Sequence, residues 1–168
     1  MSTSVLVRLA VENDKQVIWS IMEPIIRSGE TYALDTDMSR EEALNYWFLS
    51  NHEVYVAVEQ GETQDNVLGT YFLCNNQKGN GKHISNCGYM VSQAAYGKGV
   101  ANAMCVHSLC RAKEAGFKGM QYNYVVSSND RAVKLWQKNG FAIVGTLPKA
   151  FNHPSKGYVD VFVMFRDL

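Results

Sequence analysis

A strand, a glycine-bearing turn and a helix follow one another from Asn86 to Gly116, and this run constrains the fold more than any other part of the chain. The strand is Asn86-Cys87-Gly88-Tyr89-Met90-Val91, the turn is Tyr96-Gly97-Lys98-Gly99-Val100-Ala101, and Gly116 marks the helix end. The first N–H groups of a helix have no intrahelical partner, and the helix dipole favours negative charge beside them. Glycine lets the backbone approach a phosphate without a Cβ in the way. The turn therefore reads as a seat for the phosphates of a ligand, with Lys98 beside them. It is not a Walker loop, because no Gly-Lys-Ser/Thr closes it. A dinucleotide fold would place a carboxylate about 20 residues further on, where this chain has Gln121-Tyr122-Asn123-Tyr124.

A helix after the strand returns the chain to the same sheet, so Met120–Val126 is expected to run parallel to His83–Val91. The remaining elements follow from period and caps. Val5–Leu9 reads as a strand. Asn13 and Gln16 have capping-box spacing ahead of Val17, Ile18, Ile21, Met22, Ile25 and Ile26, with Pro24 expected to kink or end that helix. Ser39 and Glu42 open a second helix carrying Ala43, Leu44, Trp47 and Phe48 on one face. Strands Glu53–Glu59 and Val67–Cys74 flank a turn over Gly61–Asn66, and Asn75–Lys82 is a surface loop. A helix from Gly99 to Ala115 ends at a left-handed Gly116, and one from Asn129 to Asn139 is closed by Gly140. Strands Phe141–Leu147 and Tyr158–Phe165 are separated by a loop holding Pro148, His153, Pro154 and Gly157. The class is α/β, with a mixed, mostly antiparallel sheet flanked by helices.

Composition narrows the function. The 168 residues read as one domain, and 46% hydrophobic content suffices for a substantial core. Sixteen positive and sixteen negative side chains give zero formal net charge without a long run of one sign, which argues against nucleic acid or a membrane surface as partner. No apolar run is long enough to span a bilayer and no signal-peptide pattern opens the chain. Cys74, Cys87, Cys105 and Cys110 lack Cys-x-x-Cys spacing, so they read as reduced thiols of a cytoplasmic protein, and no His/Cys cluster suggests a metal.

The turn resembles the acyl-CoA loop of the GCN5-related N-acetyltransferase (GNAT) superfamily, Gln/Arg-x-x-Gly-x-Gly/Ala, at Gly99 and Ala101; Tyr96 stands where the family has Gln or Arg. Gly88-Tyr89-Met90-Val91 upstream, and Asn129-Asp130-Arg131-Ala132 through Leu135-Trp136-Gln137-Lys138-Asn139-Gly140-Phe141 downstream, are similar to further family segments. The resemblance implies acetyl-CoA as acyl donor and a central parallel pair of strands that splays apart, exposing backbone groups to the pantetheine arm. A backbone N–H near Tyr89, Met90 and Val91 would then face the thioester oxygen. It also implies that Asn129 bonds that arm besides capping its helix. Trp136 reads as packing against helix and cofactor, and Lys138 as assisting Lys98 from the last helix.

Two strand amides, Asn86 and Asn123, stand out as cleft residues, since an amide inside a central strand must find partners or cost about 1–3 kcal/mol. Their surroundings resemble those of the fungal azetidine-2-carboxylate acetyltransferases, which implies roles in catalysis and substrate binding. Glu30, Thr31 and Tyr32 occupy a loop that borders the acceptor site in the superfamily, and Asp160 is a carboxylate in an otherwise apolar strand; all four are candidates for holding the acceptor. Trp136 replaces the tyrosine that serves many family members as general acid, and the strand before the turn carries no Glu or Asp as base. Glu30, His83 and Asp160 remain as bases acting through water. Cys87 offers a ping-pong alternative only if a base or positive charge activates it. The expected reaction is acetyl transfer to a small amine, amino-acid-like or a cyclic imino acid, by direct attack in a ternary complex. A protein or peptide acceptor and a non-catalytic acyl-CoA sensor stay as alternatives, with a homodimer open as the assembly.

Overall fold

A computed structural model describes residues 5–61 and 65–168. Among the described residues, seven strands form one sheet: β1 (Val5–Leu9), β2 (Glu53–Glu59), β3 (Asn66–Asn75), β4 (Ile84–Val91), β5 (Gly119–Val126), β6 (Ala142–His153) and β7 (Gly157–Asp167), in the order β1-β2-β3-β4-β5-β7-β6. Every neighbouring pair is antiparallel except β4 and β5. Helices α1 (Lys15–Ser28) and α2 (Arg40–Trp47) cover one face, and α3 (Val100–Glu114) and α4 (Asp130–Lys138) the other. Alternation along the strands serves both cores: Tyr55 and Ala57 face α3, while Val54, Val56 and Val58 face α1 and α2. That double cover is why the central strands read as unbroken apolar runs.

Several boundaries differ from the sequence expectation. Helix α1 runs through Pro24 to Ser28, because buried Ile21, Met22 and Ile26 hold its inner face, and it ends at Gly29 (φ 63°). Its entry is not the Asn13–Gln16 box: Asp14 accepts from the Val11 N–H at 2.8 Å and from Arg8 at 2.7 Å. The Ser39–Glu42 box forms as expected. Gly116 and Gly140 both end their helices in paired bonds, Phe117 N–H to Ala112 O with Gly116 N–H to Lys113 O, and Phe141 N–H to Trp136 O with Gly140 N–H to Gln137 O. This is the Schellman arrangement, for which a left-handed residue is needed (φ 85° and 83°). The turn expected over Gly61–Asn66 falls partly on residues 62–64, outside the described residues. The loop expected from Pro148 onward is mostly strand, since β6 continues to His153 through a register shift between Leu147 and Phe151.

Candidate active site

The site begins where β4 and β5 part. Their ladder consists of Ile84 opposite Gly119 and Ser85 opposite Met120, and no further pair joins them. Ser85 fixes this apex by donating its hydroxyl to the Gly119 carbonyl at 3.1 Å. Ser92 N–H bonds Leu68 O on the β3 side at 2.8 Å, so the even-numbered residues of β4 turn their backbone to β3. Cys87, Tyr89 and Val91 therefore turn theirs toward the gap. Side chains meet two of them. Asn86 Oδ1 accepts from the Cys87 N–H at 2.8 Å. Tyr32 Oη accepts from the Tyr89 N–H at 2.8 Å while its O–H donates to the Tyr89 carbonyl at 2.7 Å. On the β5 side, Asn123 donates through Nδ2 to Asn76 Oδ1 at 2.5 Å and accepts from Gln121 Nε2 at 2.9 Å. A cleft of about 840 Å³ joins this gap to the glycine turn.

The wall beneath the gap is aromatic. Tyr89 on β4 and Tyr122 on β5 hydrogen-bond across the opening strands at 2.8 Å, and Tyr89 also meets Ser108 of α3 at 2.7 Å. Ser108 spends its proton on the Cys105 carbonyl at 2.8 Å, so it accepts from Tyr89, which in turn accepts from Tyr122. The hydroxyl chain ends on a carbonyl. Burial pushes both phenols well above the ordinary range. The trio braces the strands. Trp136 lies against both rings, with centroids 4.9 and 5.0 Å away.

At the other end of the cleft, Gly97 (φ 79°) and Gly99 (φ 78°) adopt left-handed conformations, and a Cβ at either would meet nothing within 4 Å. The surface above them is open to a ligand, and α3 starts at Val100 directly behind. The Arg131 guanidinium lies over the Tyr96 ring, 5.2 Å from its centroid. A left-handed glycine turn opening a helix, a gap between parted strands flanked by amides and an aromatic wall in one continuous cleft suit acetyl-CoA.

A model of the acetyltransferase (GNAT) family matches residues 19–141. The chain belongs to this family. It is an acetyl-CoA-dependent N-acetyltransferase. It is 28% identical over 151 residues, covering 82% of this chain and 72% of the other, to N-acetyltransferase aca1 of Schizosaccharomyces pombe. Among solved structures it is similar to a GCN5-related N-acetyltransferase from Kribbella flavida, 38% identical with a TM-score of 0.92 over 98% of both chains. The fold is shared at 21% identity with a phosphinothricin acetyltransferase from Sinorhizobium meliloti in complex with acetyl-CoA, with a TM-score of 0.84 over 98% of this chain and 88% of that one.

Within this GNAT cleft the residues expected from sequence separate clearly. Asn86, Tyr89, Met90, Val91, Tyr96, Gly97, Gly99, Val100, Ala101, Asn123, Asn129, Trp136 and Lys138 line it, as do Glu30, Thr31 and Tyr32. Asn129 caps α4, accepting from the Ala132 N–H at 3.3 Å. Lys98 is exposed and outside the lining. Asp160 is also outside it: on the β6–β7 hairpin, it accepts from the Lys149 N–H at 2.9 Å. His83 sits at the closed end of the strand pair, its Nδ1 against the Asn80 carbonyl at 3.0 Å, so of the three bases considered only Glu30 borders the cleft. Cys87 is buried with its Sγ 3.8 Å from Met120 Sδ, and burial pushes its thiol far above the usual range, so the ping-pong route lacks its thiolate. Arg131 and Lys134 are cleft residues that the sequence reading passed over; the signal for Arg131 was Tyr96 itself, an aromatic where a cationic or amide side chain is usual.

Proposed function

We propose that the chain acetylates the amine of a small amino-acid-like molecule or cyclic imino acid, taking the acetyl group from acetyl-CoA in a ternary complex. The observation that carries this reading is the amide-lined gap beside Tyr89, continuous with the glycine turn. In it, the turn from Gly97 to Ala101 and the cations Arg131, Lys134 and Lys138 meet the phosphates, the freed backbone of β4 meets the pantetheine arm, and the Tyr89 N–H meets the acyl oxygen. Such a donor, pre-aimed at an oxygen that gains charge, supports about 100- to 1000-fold in rate. Acetyl-CoA supplies an activated acyl group whose thiol, of ordinary pKa about 8.5, leaves without a dedicated acid. Asn86 and Asn123 hold the acceptor, their N–H groups suited to a carboxylate, with Glu30 at the mouth for the ammonium. An amine of pKa about 10 is neutral in only about one part in a thousand at pH 7, a cost near 4 kcal/mol, and its proton leaves to water directly or by way of Glu30.

A homodimer through β6 is the assembly this reading favours, since β6 ends the sheet and exposes Ile143, Val144 and Leu147. A cytoplasmic setting fits the four free cysteines, and among the described residues no helix is long and apolar enough to cross a membrane.

Calorimetric titration with acetyl-CoA, beside thiol release over a panel of amino and imino acids, tests the proposal. Asn123→Ala is expected to lower kcat/KM for the acceptor about 10- to 100-fold and to leave acetyl-CoA affinity within twofold. Tight binding without turnover on any amine would instead select an acyl-CoA sensor.

A further inference from the structure

Tyr32 enters the gap from the segment between α1 and α2, and its hydroxyl engages both backbone groups of one β4 residue, the Tyr89 N–H at 2.8 Å and the Tyr89 carbonyl at 2.7 Å. A group that accepts from the N–H and donates to the C=O of the same residue imitates a rung of a sheet ladder. It closes the gap at the height where β4 has lost its β5 partner. A thioester oxygen seeking the Tyr89 N–H would approach the same point, and one N–H does not serve two acceptors at full strength. Burial keeps the phenol protonated, so both bonds persist at neutral pH. Tyr32 belongs to no helix or strand, so its side chain can leave without breaking a ladder.

We infer that Tyr32 is a surrogate for the acyl oxygen: its hydroxyl holds the Tyr89 N–H in the free and CoA-bound protein and yields it to the acetylated donor. The inference rests on the reading that acetyl-CoA lies between β4 and β5. Acetyl-CoA must then displace a contact that CoA leaves in place. After transfer the phenol returns to Tyr89 and competes with the amide oxygen of the acetylated product, favouring its release.

Affinities of acetyl-CoA and of CoA, measured by calorimetry for the unaltered protein and for Tyr32→Phe, test this. The phenylalanine keeps the ring and removes the hydroxyl. Acetyl-CoA is expected to bind the variant about 5- to 20-fold more tightly, the scale of two hydrogen bonds partly replaced by water, while CoA stays within twofold. Unchanged CoA affinity also shows that the variant is folded. An unaltered ratio of the two affinities, or weaker binding of both, would overturn the inference. So would a crystal of the acetyl-CoA complex with Tyr32 Oη still bonded to the Tyr89 N–H. Failure of the unaltered protein to bind either ligand would instead overturn the acetyltransferase site itself, a result distinguishable because it appears before any substitution.

Discussion

Asp14 has 8% of its side chain exposed, and burial alone would push its pKa up. The hydrogen bonds from Arg8 at 2.7 and 3.1 Å, and from the Val11 N–H at 2.8 Å, outweigh burial and hold the carboxyl below its ordinary range. A carboxyl depressed in the folded state contributes stability above the unfolded pKa and loses it as pH falls through the folded value. Asp14→Asn is therefore expected to cost about 1–3 kcal/mol at pH 7. The two proteins should converge in denaturant unfolding as pH falls below about 3.9, the ordinary aspartate value; a gap independent of pH would remove the ion pair as its cause. At this scale the sequence was half legible. Asn86 and Asn123 stood out because an amide is foreign to a buried strand. The Asn123–Asn76 and Tyr89–Tyr32 contacts did not, because Asn76 is 47 residues from Asn123 and Tyr32 is 57 from Tyr89, distances that only the fold closes.

Elements bounded by the Ser39–Glu42 box or by a left-handed glycine were readable; the entry of α1 and the strand interrupted by a bulge were not. Gly116 and Gly140 announce helix ends through backbone chemistry that few other residues permit. Pro148 and Lys149 announce a loop, yet the strand bends there and resumes. Lys149 takes a left-handed φ of 53°, its N–H goes to Asp160 Oδ1, and pairing moves from Leu147–Val161 to Phe151–Val159. Asp160 thus has work in its own hairpin, outside the cleft. Asp160→Ala should lower Tm by about 2–4 °C, the equivalent of about 1 kcal/mol in a chain of this size. The KM for the amine and the affinity for acetyl-CoA should stay within twofold. A tenfold rise in that KM at unchanged Tm would return Asp160 to the acceptor site.

At the scale of the molecule, the sheet is two half-sheets, β1-β2-β3-β4 and β5-β7-β6, joined at one end by two residue pairs. Beyond the apex, the Tyr89–Tyr122 bond and helix α3 span the opening. The mostly antiparallel character of the sheet was legible, and the parallel pair from the crossover, but the strand order and the length of the ladder were not, because these depend on how strands meet across the fold rather than on which residues they contain. A ligand lying in the opening and gripped at the turn would brace both halves at once, so its binding free energy becomes stability of the whole fold. At a concentration 100 times its Kd, acetyl-CoA adds about 2.7 kcal/mol, which corresponds to a rise in Tm of about 5–11 °C for a chain of this length. Gly99→Asp should abolish the rise. It sets a carboxylate in the proposed phosphate seat and costs the free protein about 1–2 kcal/mol through its left-handed backbone. Thermal scans of both proteins with and without acetyl-CoA decide the matter: an equal rise in the variant would mean that the ligand is held somewhere other than the turn before α3.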